Sequence, residues 1–112
     1  MRYVYVILGG AAGSVLRYAI GLHFTSGTML VNLTGSFLIG LILSLLPAAS
    51  EMRPLLVAGF LGGYTTFSSF QWETFGAVQN GMPWLALWNV GGSVILGYLA
   101  CWGGAWLATM LK

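Results

Sequence analysis

The sequence predicts an all-α integral membrane protein with four transmembrane helices. Of its 112 residues, 58% are hydrophobic and only 5% are charged, whereas a soluble domain carries about 25% charged residues. The apolar residues fall into four runs, each near the length of about 20 residues that a spanning helix needs. Because the stretches between these runs are short, we interpret residues 1–112 as a single membrane domain.

The composition also excludes several functional classes. A short chain with so few polar residues cannot cover a surface that faces water. The four basic residues are scattered and give a net charge of only +2, so they form no patch for a nucleic acid. One cysteine, one histidine and two acids, in separate segments, offer no disulfide framework, cysteine-based metal site or hydrolytic triad. We therefore expect no enzymatic activity.

The predicted spans cover residues 4–24, 28–46, 55–77 and 84–110, with a turn at 25–27. Four spans place both termini on the same side of the membrane. Small residues recur four positions apart in every span, which favours close helix packing, and an oligomer is expected because four short helices enclose little interior. Three of the four basic residues lie on the side of the termini. This weak bias permits insertion in both orientations or a fixed one with cytoplasmic termini.

The third span carries an interruption. Two glycines and two threonines within residues 62–66 are poor helix formers. Backbone groups freed at this depth must be satisfied by protein, water or an ion. Freed carbonyls suit a small cation, and the N-terminus of the resumed helix suits an anion. A continuous, glycine-rich packing helix is the alternative interpretation of the same residues.

Beyond the interruption, helical spacing places Thr66, Ser69, Phe70 and Glu73 on one face, with Phe67 at its edge. Hydroxyl protons and the partially positive edges of aromatic rings can together solvate a small anion. The alternative is that both phenylalanines face lipid or the protein core. This face is therefore a candidate anion path.

Polar residues also occur in the other spans. Asn32 lies in the second span, Asn89 and Ser93 share a face of the fourth, and Arg17 lies in the first. Interhelical hydrogen bonding explains any one of them, but together they indicate a polar path. Glu73 is the only acid within a span, which makes it a functional candidate unless it lies at the membrane surface. Arg17 is either part of the path or a snorkelling anchor.

Three motifs resemble the Fluc/CrcB family of fluoride channels. They occupy residues 9–18 (GGAAGSVLRY), 27–37 (GTMLVNLTGSF) and 62–70 (GGYTTFSSF). Their order and spacing extend the resemblance over nearly the whole chain. It implies a fluoride-selective ion channel of the bacterial inner membrane that exports cytoplasmic fluoride passively, driven by the membrane potential, and so confers fluoride resistance.

The resemblance further implies an antiparallel, dual-topology homodimer with two fluoride pores. It implies a structural sodium ion at the dimer interface, held by the backbone carbonyls of Gly62 and Thr65. The candidate residues of the fluoride path are Asn32, Phe67, Phe70, Ser69, Thr66, Ser93, Glu73 and Arg17. Asn89 departs from the family pattern, and its role and that of His23 stay open.

Two other functions are weighed against this one. A small multidrug-resistance-type, proton-coupled transporter depends on a carboxylate in its first helix, but the first span here has Arg17 and no acid. A non-transporting membrane assembly subunit would show the packing motifs. Such a subunit would have no need of an interrupted third span with aligned polar residues.

Overall fold

The computed structural model describes residues 1–24 and 27–112, and these form helices joined by short connections. The elements in chain order are α1 (Arg2–His23), α2 (Gly27–Leu45), a π-helix (Pro54–Leu61), α3 (Gly62–Tyr64), α4 (Ser68–Gln79) and α5 (Pro83–Leu111). The described residues contain no strand, which confirms the all-α class for this part of the chain. The predicted turn at 25–27 includes Thr25 and Ser26, which lie outside the described residues.

Three helices, α1, α2 and α5, are long and apolar enough to cross a bilayer. The longest is α5 with 29 residues, which at about 1.5 Å per residue exceeds the thickness of the hydrocarbon core. Large apolar side chains cover its outer surface, and Trp84 is 80% exposed. Such a surface suits lipid and not water. The chain is a multi-pass membrane protein.

The segment between α2 and α5 consists of three shorter helices. The π-helix continues into α3, which ends at Tyr64, and Thr65 is extended with φ −86° and ψ 155°. The next helix, α4, begins at Ser68. Gly62 and Gly63 were expected inside the interruption, but both are helical. At Gly63 the physical reason is close packing, because a Cβ atom there would lie 2.6 Å from the Gly10 carbonyl oxygen.

Glycines bring the helix backbones into direct contact at two further places. Against the π-helix and α3, a Cβ atom on Gly13 of α1 would lie 2.8 Å from the Tyr64 nitrogen. Between α2 and α5, a Cβ atom on Gly104 would overlap the Phe37 carbonyl oxygen. Lipid provides no hydrophobic force between helices, so this close approach provides much of the attraction.

A small core lies where α2 meets the π-helix and α3. Val31, Leu61 and Tyr64 are buried together there. The Phe60 and Tyr64 rings stack with centroids 5.5 Å apart, and the Tyr64 hydroxyl lies 2.7 Å from Thr34 Oγ1. This core packs the end of α3 against the middle of α2. The residues that follow α3 therefore lie beside Asn32.

Candidate ion path at the α3–α4 junction

Asn32 holds the residues between α3 and α4, numbered 65–67 and here named the junction. Its Nδ2 donates to the Thr66 carbonyl oxygen at 3.0 Å. In return, the Thr66 backbone N–H donates to Asn32 Oδ1 at 2.9 Å. The side-chain amide thus pairs with both polar groups of one residue and replaces the helical hydrogen bonds that Thr66 lacks. An unpaired amide in the middle of a membrane helix would be costly.

Arg17 holds the chain just before the junction. Its Nε donates to the Gly63 carbonyl oxygen at 3.0 Å, and the contact is partly buried. Because α3 ends at Tyr64, this carbonyl belongs to the last turn of a helix. A cation that bonds such a carbonyl also interacts favourably with the negative end of the helix dipole.

The two threonines of the junction finish one helix and start the next. The Thr65 backbone N–H and hydroxyl both donate to the Leu61 carbonyl oxygen, at 3.0 and 2.9 Å. The Ser69 N–H donates to Thr66 Oγ1 at 3.2 Å, which satisfies one of the amides that are free at a helix start. The Thr66 side chain therefore replaces a missing helical bond, whereas the Thr65 hydroxyl adds a second donor to a carbonyl that already has its helical bond.

Two cavities adjoin the junction. The larger cavity has a volume of about 390 Å³, and its polar lining comes mainly from α2 and the junction. The smaller cavity, of about 260 Å³, lies between α1 and the starts of α2 and α4. Candidate residues that line the larger cavity are Asn32, Gly62, Thr65, Thr66 and Phe67. Those that line the smaller cavity are Arg17, Thr66 and Ser69. Thr66 is thus common to both cavities.

The two candidate phenylalanines differ in environment. Phe67 is 71% exposed and Phe70 only 8%, although their ring centroids are 6.0 Å apart at an interplanar angle of 47°. Phe67 projects from the junction at the edge of the larger cavity. Phe70 packs inside the subunit. The structure therefore presents one aromatic ring at the surface of the subunit, close to a second ring that is buried.

Glu73 and Ser93 lie away from the junction itself. The Thr28 hydroxyl donates to Glu73 Oε2, which links the start of α2 to the middle of α4, and Thr28 also lines the smaller cavity. Glu73 is exposed. Ser93 lines neither cavity, and among the described residues its buried Oγ has no hydrogen-bond partner. The structure thus connects Glu73, and not Ser93, with the candidates around the cavities.

Asn89 bonds to α4. Its Nδ2 donates to Thr74 Oγ1 at 2.9 Å, and the Thr74 hydroxyl lies 2.9 Å from the Phe70 carbonyl oxygen, to which it donates. This chain of hydrogen bonds links α5 to the backbone of the buried phenylalanine. Asn89 therefore makes a structural contact with α4, which could not be inferred from the family pattern because Asn89 departs from it.

The sequence matches the profile of the family described as CrcB-like protein, Camphor Resistance (CrcB), over residues 4–105. The chain belongs to the CrcB family. Among its relatives, proteins named fluoride-specific ion channel FluC are 51% identical in Solibacter usitatus, covering 96% of this chain and 98% of the relative, and 42% identical in Acidobacterium capsulatum, covering 93% of each. One from Thermus thermophilus is 44% identical, covering 92% of this chain and 90% of the relative. The family predicted from the three motifs is confirmed.

Sequence reasoning missed several partners in this CrcB-family chain. Thr28, Thr74 and the Gly63 carbonyl were not among the candidates, although each bonds to a residue that was singled out. Thr74 had a local signal, because a threonine four residues after Phe70 in a helix commonly bonds back to that carbonyl. Contacts between helices have no such local signal.

Proposed function

We propose that the protein is a fluoride-selective ion channel that exports cytoplasmic fluoride passively and so lowers its intracellular concentration. The observation that carries this proposal is the convergence of hydrogen-bond donors and an aromatic ring around Thr66, in a chain whose relatives are named fluoride-specific ion channels. A narrow path lined by donors can replace the water around a small anion and exclude a larger one. Few charged residues line it, so the ion is not held tightly.

The path that we propose follows the two cavities. They share Thr66, so a small anion that passes this residue moves from one cavity to the other. Its donors are hydroxyl and amide protons together with the ring edges of the phenylalanines. The proposed members that line the cavities are Asn32, Phe67, Ser69, Thr66 and Arg17. The other proposed members are Phe70, Glu73 and Ser93, which line neither cavity. Support for Ser93 comes from its hydroxyl, which has no partner among the described residues and is available to an ion.

The proposed assembly is an antiparallel, dual-topology homodimer in the bacterial inner membrane, with the π-helix, α3 and α4 forming one interrupted span. The larger cavity supports a dimer, because it lies on the surface of the subunit and contains polar groups of Asn32 and Thr65. Lipid cannot satisfy such groups. A second copy seated over the cavity would cover them together with the exposed Phe67 ring.

A structural sodium ion at the dimer interface is also part of the proposal. Among the hydrogen bonds of the described residues, none ends on the carbonyl oxygens of Gly62 or Thr65. Such oxygens are hard ligands that suit an alkali cation. The described residues contain no group of three or more His, Cys, Asp or Glu side chains for a metal. The site would therefore consist of carbonyls from both copies.

A proton-coupled multidrug transporter is not favoured. Helix α1 has neither Asp nor Glu. Its only charged residue after Arg2 is Arg17, and the Nε of that residue is bonded to the Gly63 carbonyl oxygen. An exchanger of protons for cationic drugs would need a carboxylate where this chain has a cation.

The test is fluoride efflux from liposomes, measured with a fluoride electrode and compared with chloride efflux. We expect rapid fluoride efflux and no chloride efflux. We expect Phe67→Ile to slow fluoride efflux about tenfold, since a favourable ring-edge interaction is worth up to about 1.5 kcal/mol. The matched control is Phe75→Ile, because Phe75 is also exposed on α4 but lines neither cavity. Equal rates for both ions, or no efflux of fluoride, would contradict the proposal.

A further inference from the structure

We propose that Arg17 is a positioning residue, whose Nε hydrogen bond to the Gly63 carbonyl sets the backbone at the end of α3. The proposal rests on the proposed channel function, because Gly63 lies two residues before the junction. An arginine beside an anion path can be a donor that holds the backbone or a charge that attracts the ion. The proposal assigns the first of these roles to Arg17.

Packing between the backbones of α1 and α3 places Arg17 beside the Gly63 carbonyl. Gly10, Ser14 and Arg17 lie on one face of α1, because they are spaced by four and three residues. A Cβ atom on Gly63 would lie 2.6 Å from the Gly10 carbonyl oxygen and 2.9 Å from Ser14 Oγ. The backbones of α1 and α3 therefore touch, and Arg17 follows about one turn later on the same face. Its register relative to Gly63 is set by the helices and not by a mobile surface side chain.

The Gly63 carbonyl needs a donor from outside its own helix. In a continued helix it would accept the N–H of Phe67. Thr65 is extended and α4 begins only at Ser68, so among the described residues that helical bond is not made. A partly buried carbonyl without a donor is costly. Arg17 Nε supplies the missing donor at 3.0 Å.

The hydrogen bonds of Asn32 indicate which backbone segment Arg17 helps to hold. Asn32 pairs with both backbone groups of Thr66, three residues after Gly63. Side chains from α1 and α2 therefore hold the two ends of the segment 63–66. The carbonyls of Gly62 and Thr65, proposed for sodium, are bonded by neither side chain. Releasing the Gly63 end would let the junction, and with it Phe67, change orientation.

Three substitutions separate the donor from the charge. The glutamine amide nitrogen follows three side-chain carbons, as arginine Nε does, so Arg17→Gln keeps a donor at this position and removes the charge. Arg17→Lys keeps the charge and moves the donor one bond further out. Arg17→Met keeps a side chain of similar length and removes both. Arg2→Met is the matched control for loss of one cation, because Arg2 is exposed at the start of α1.

The primary measurement is amide hydrogen exchange of each full-length variant in lipid nanodiscs, read over residues 64–69. We expect Arg17→Met to raise exchange there about tenfold or more, as loss of a charge-assisted hydrogen bond would. Arg17→Gln should raise it by less than about threefold, since a neutral hydrogen bond remains. Arg2→Met should leave it unchanged. Fluoride efflux should fall in the same order, with Arg17→Met slower than Arg17→Gln.

Two results would overturn the proposal. One is wild-type exchange over residues 64–69 in Arg17→Met. The other is a glutamine variant that behaves like the methionine variant while Arg17→Lys retains both exchange protection and efflux, because charge would then be the requirement. If the Arg17→Met variant does not assemble, the exchange and efflux of Arg17→Gln are compared with those of Arg17→Lys to decide between donor and charge. Failure of the wild-type protein to pass fluoride would contradict the proposed function but not the exchange result.

Discussion

The α2–α5 contact and the junction join helices in opposite ways. Between α2 and α5, two uninterrupted helices meet backbone to backbone, with Gly40 against Cys101 and Gly104 against Phe37. At the junction, a helix stops and side chains bond to its backbone, Arg17 from α1 and Asn32 from α2. In a bilayer, packing and hydrogen bonds replace the hydrophobic force between helices.

The two regions should therefore be destabilised by different kinds of substitution. At Gly40 and Gly104 the α2–α5 contact has no space for an added atom, but its helices satisfy their own backbone groups and need no polar partner. The junction has cavities beside it, so it has space, but its backbone depends on particular donors and acceptors. Adding a methyl group should therefore damage the first region, and removing a donor should damage the second.

The largest expected effect is that of Gly104→Ala. The new Cβ would overlap the Phe37 carbonyl oxygen and lie 2.8 Å from the Leu41 nitrogen, so α2 and α5 would have to separate. We expect the free energy of unfolding to fall by about 3 kcal/mol, as for severe overpacking. The measurement is denaturant unfolding in detergent micelles. The control is Gly103→Ala, whose Cβ would lie 4.0 Å from Phe37 Cδ2, and equal losses from both variants would show that the close contact is unimportant.

Asn32→Asp should have the next largest effect. It replaces Nδ2 with an oxygen that faces the Thr66 carbonyl oxygen, so a hydrogen bond becomes a repulsion. Fluoride efflux should fall about tenfold or more, since leaving a buried group unsatisfied costs about 1–3 kcal/mol.

The matched comparison is the same change at Asn89. Its partner is the Thr74 hydroxyl, which can turn its proton toward a carboxylate, so the contact survives in reverse. Efflux from the Asn89→Asp variant should therefore stay within about threefold of the wild type, as for exchange of one hydrogen bond for another. Equal losses at the two positions would mean that a negative charge, and not the bond to the Thr66 carbonyl, lowers efflux.

The smallest expected effect is that of Gly62→Ala on stability. Its Cβ would lie 3.7 Å from the Val57 carbonyl oxygen, an ordinary contact, and alanine gains up to about 1 kcal/mol over glycine in a helix. The free energy of unfolding should change by less than about 1 kcal/mol. Gly63→Ala, which places a Cβ 2.6 Å from the Gly10 carbonyl oxygen, should be clearly more destabilising. A large loss at Gly62 would instead support the predicted interruption of the helix at this glycine.

Local patterns in the sequence predict much of the molecule and mislead at one point. Composition and apolar run length predict an all-helical membrane chain, and the motif order predicts the CrcB family. Low helix propensity at Gly62 and Gly63 indicated an interruption there, yet both are helical. Propensity describes an isolated helix, whereas contact of Gly63 with α1 depends on a neighbour that is distant in sequence.

The sequence by itself determined the helical class, the membrane setting and the family, because these depend on composition and on local order along the chain. Only the tertiary structure decided which donor meets which acceptor. It pairs Asn32 with Thr66, Arg17 with Gly63 and Asn89 with Thr74. Nothing along the sequence specifies these pairs, because hydrogen bonds depend on distances of a few tenths of an ångström between helices. For Arg17 and Gly63, that distance follows from how closely Gly63 allows the backbones of α1 and α3 to approach.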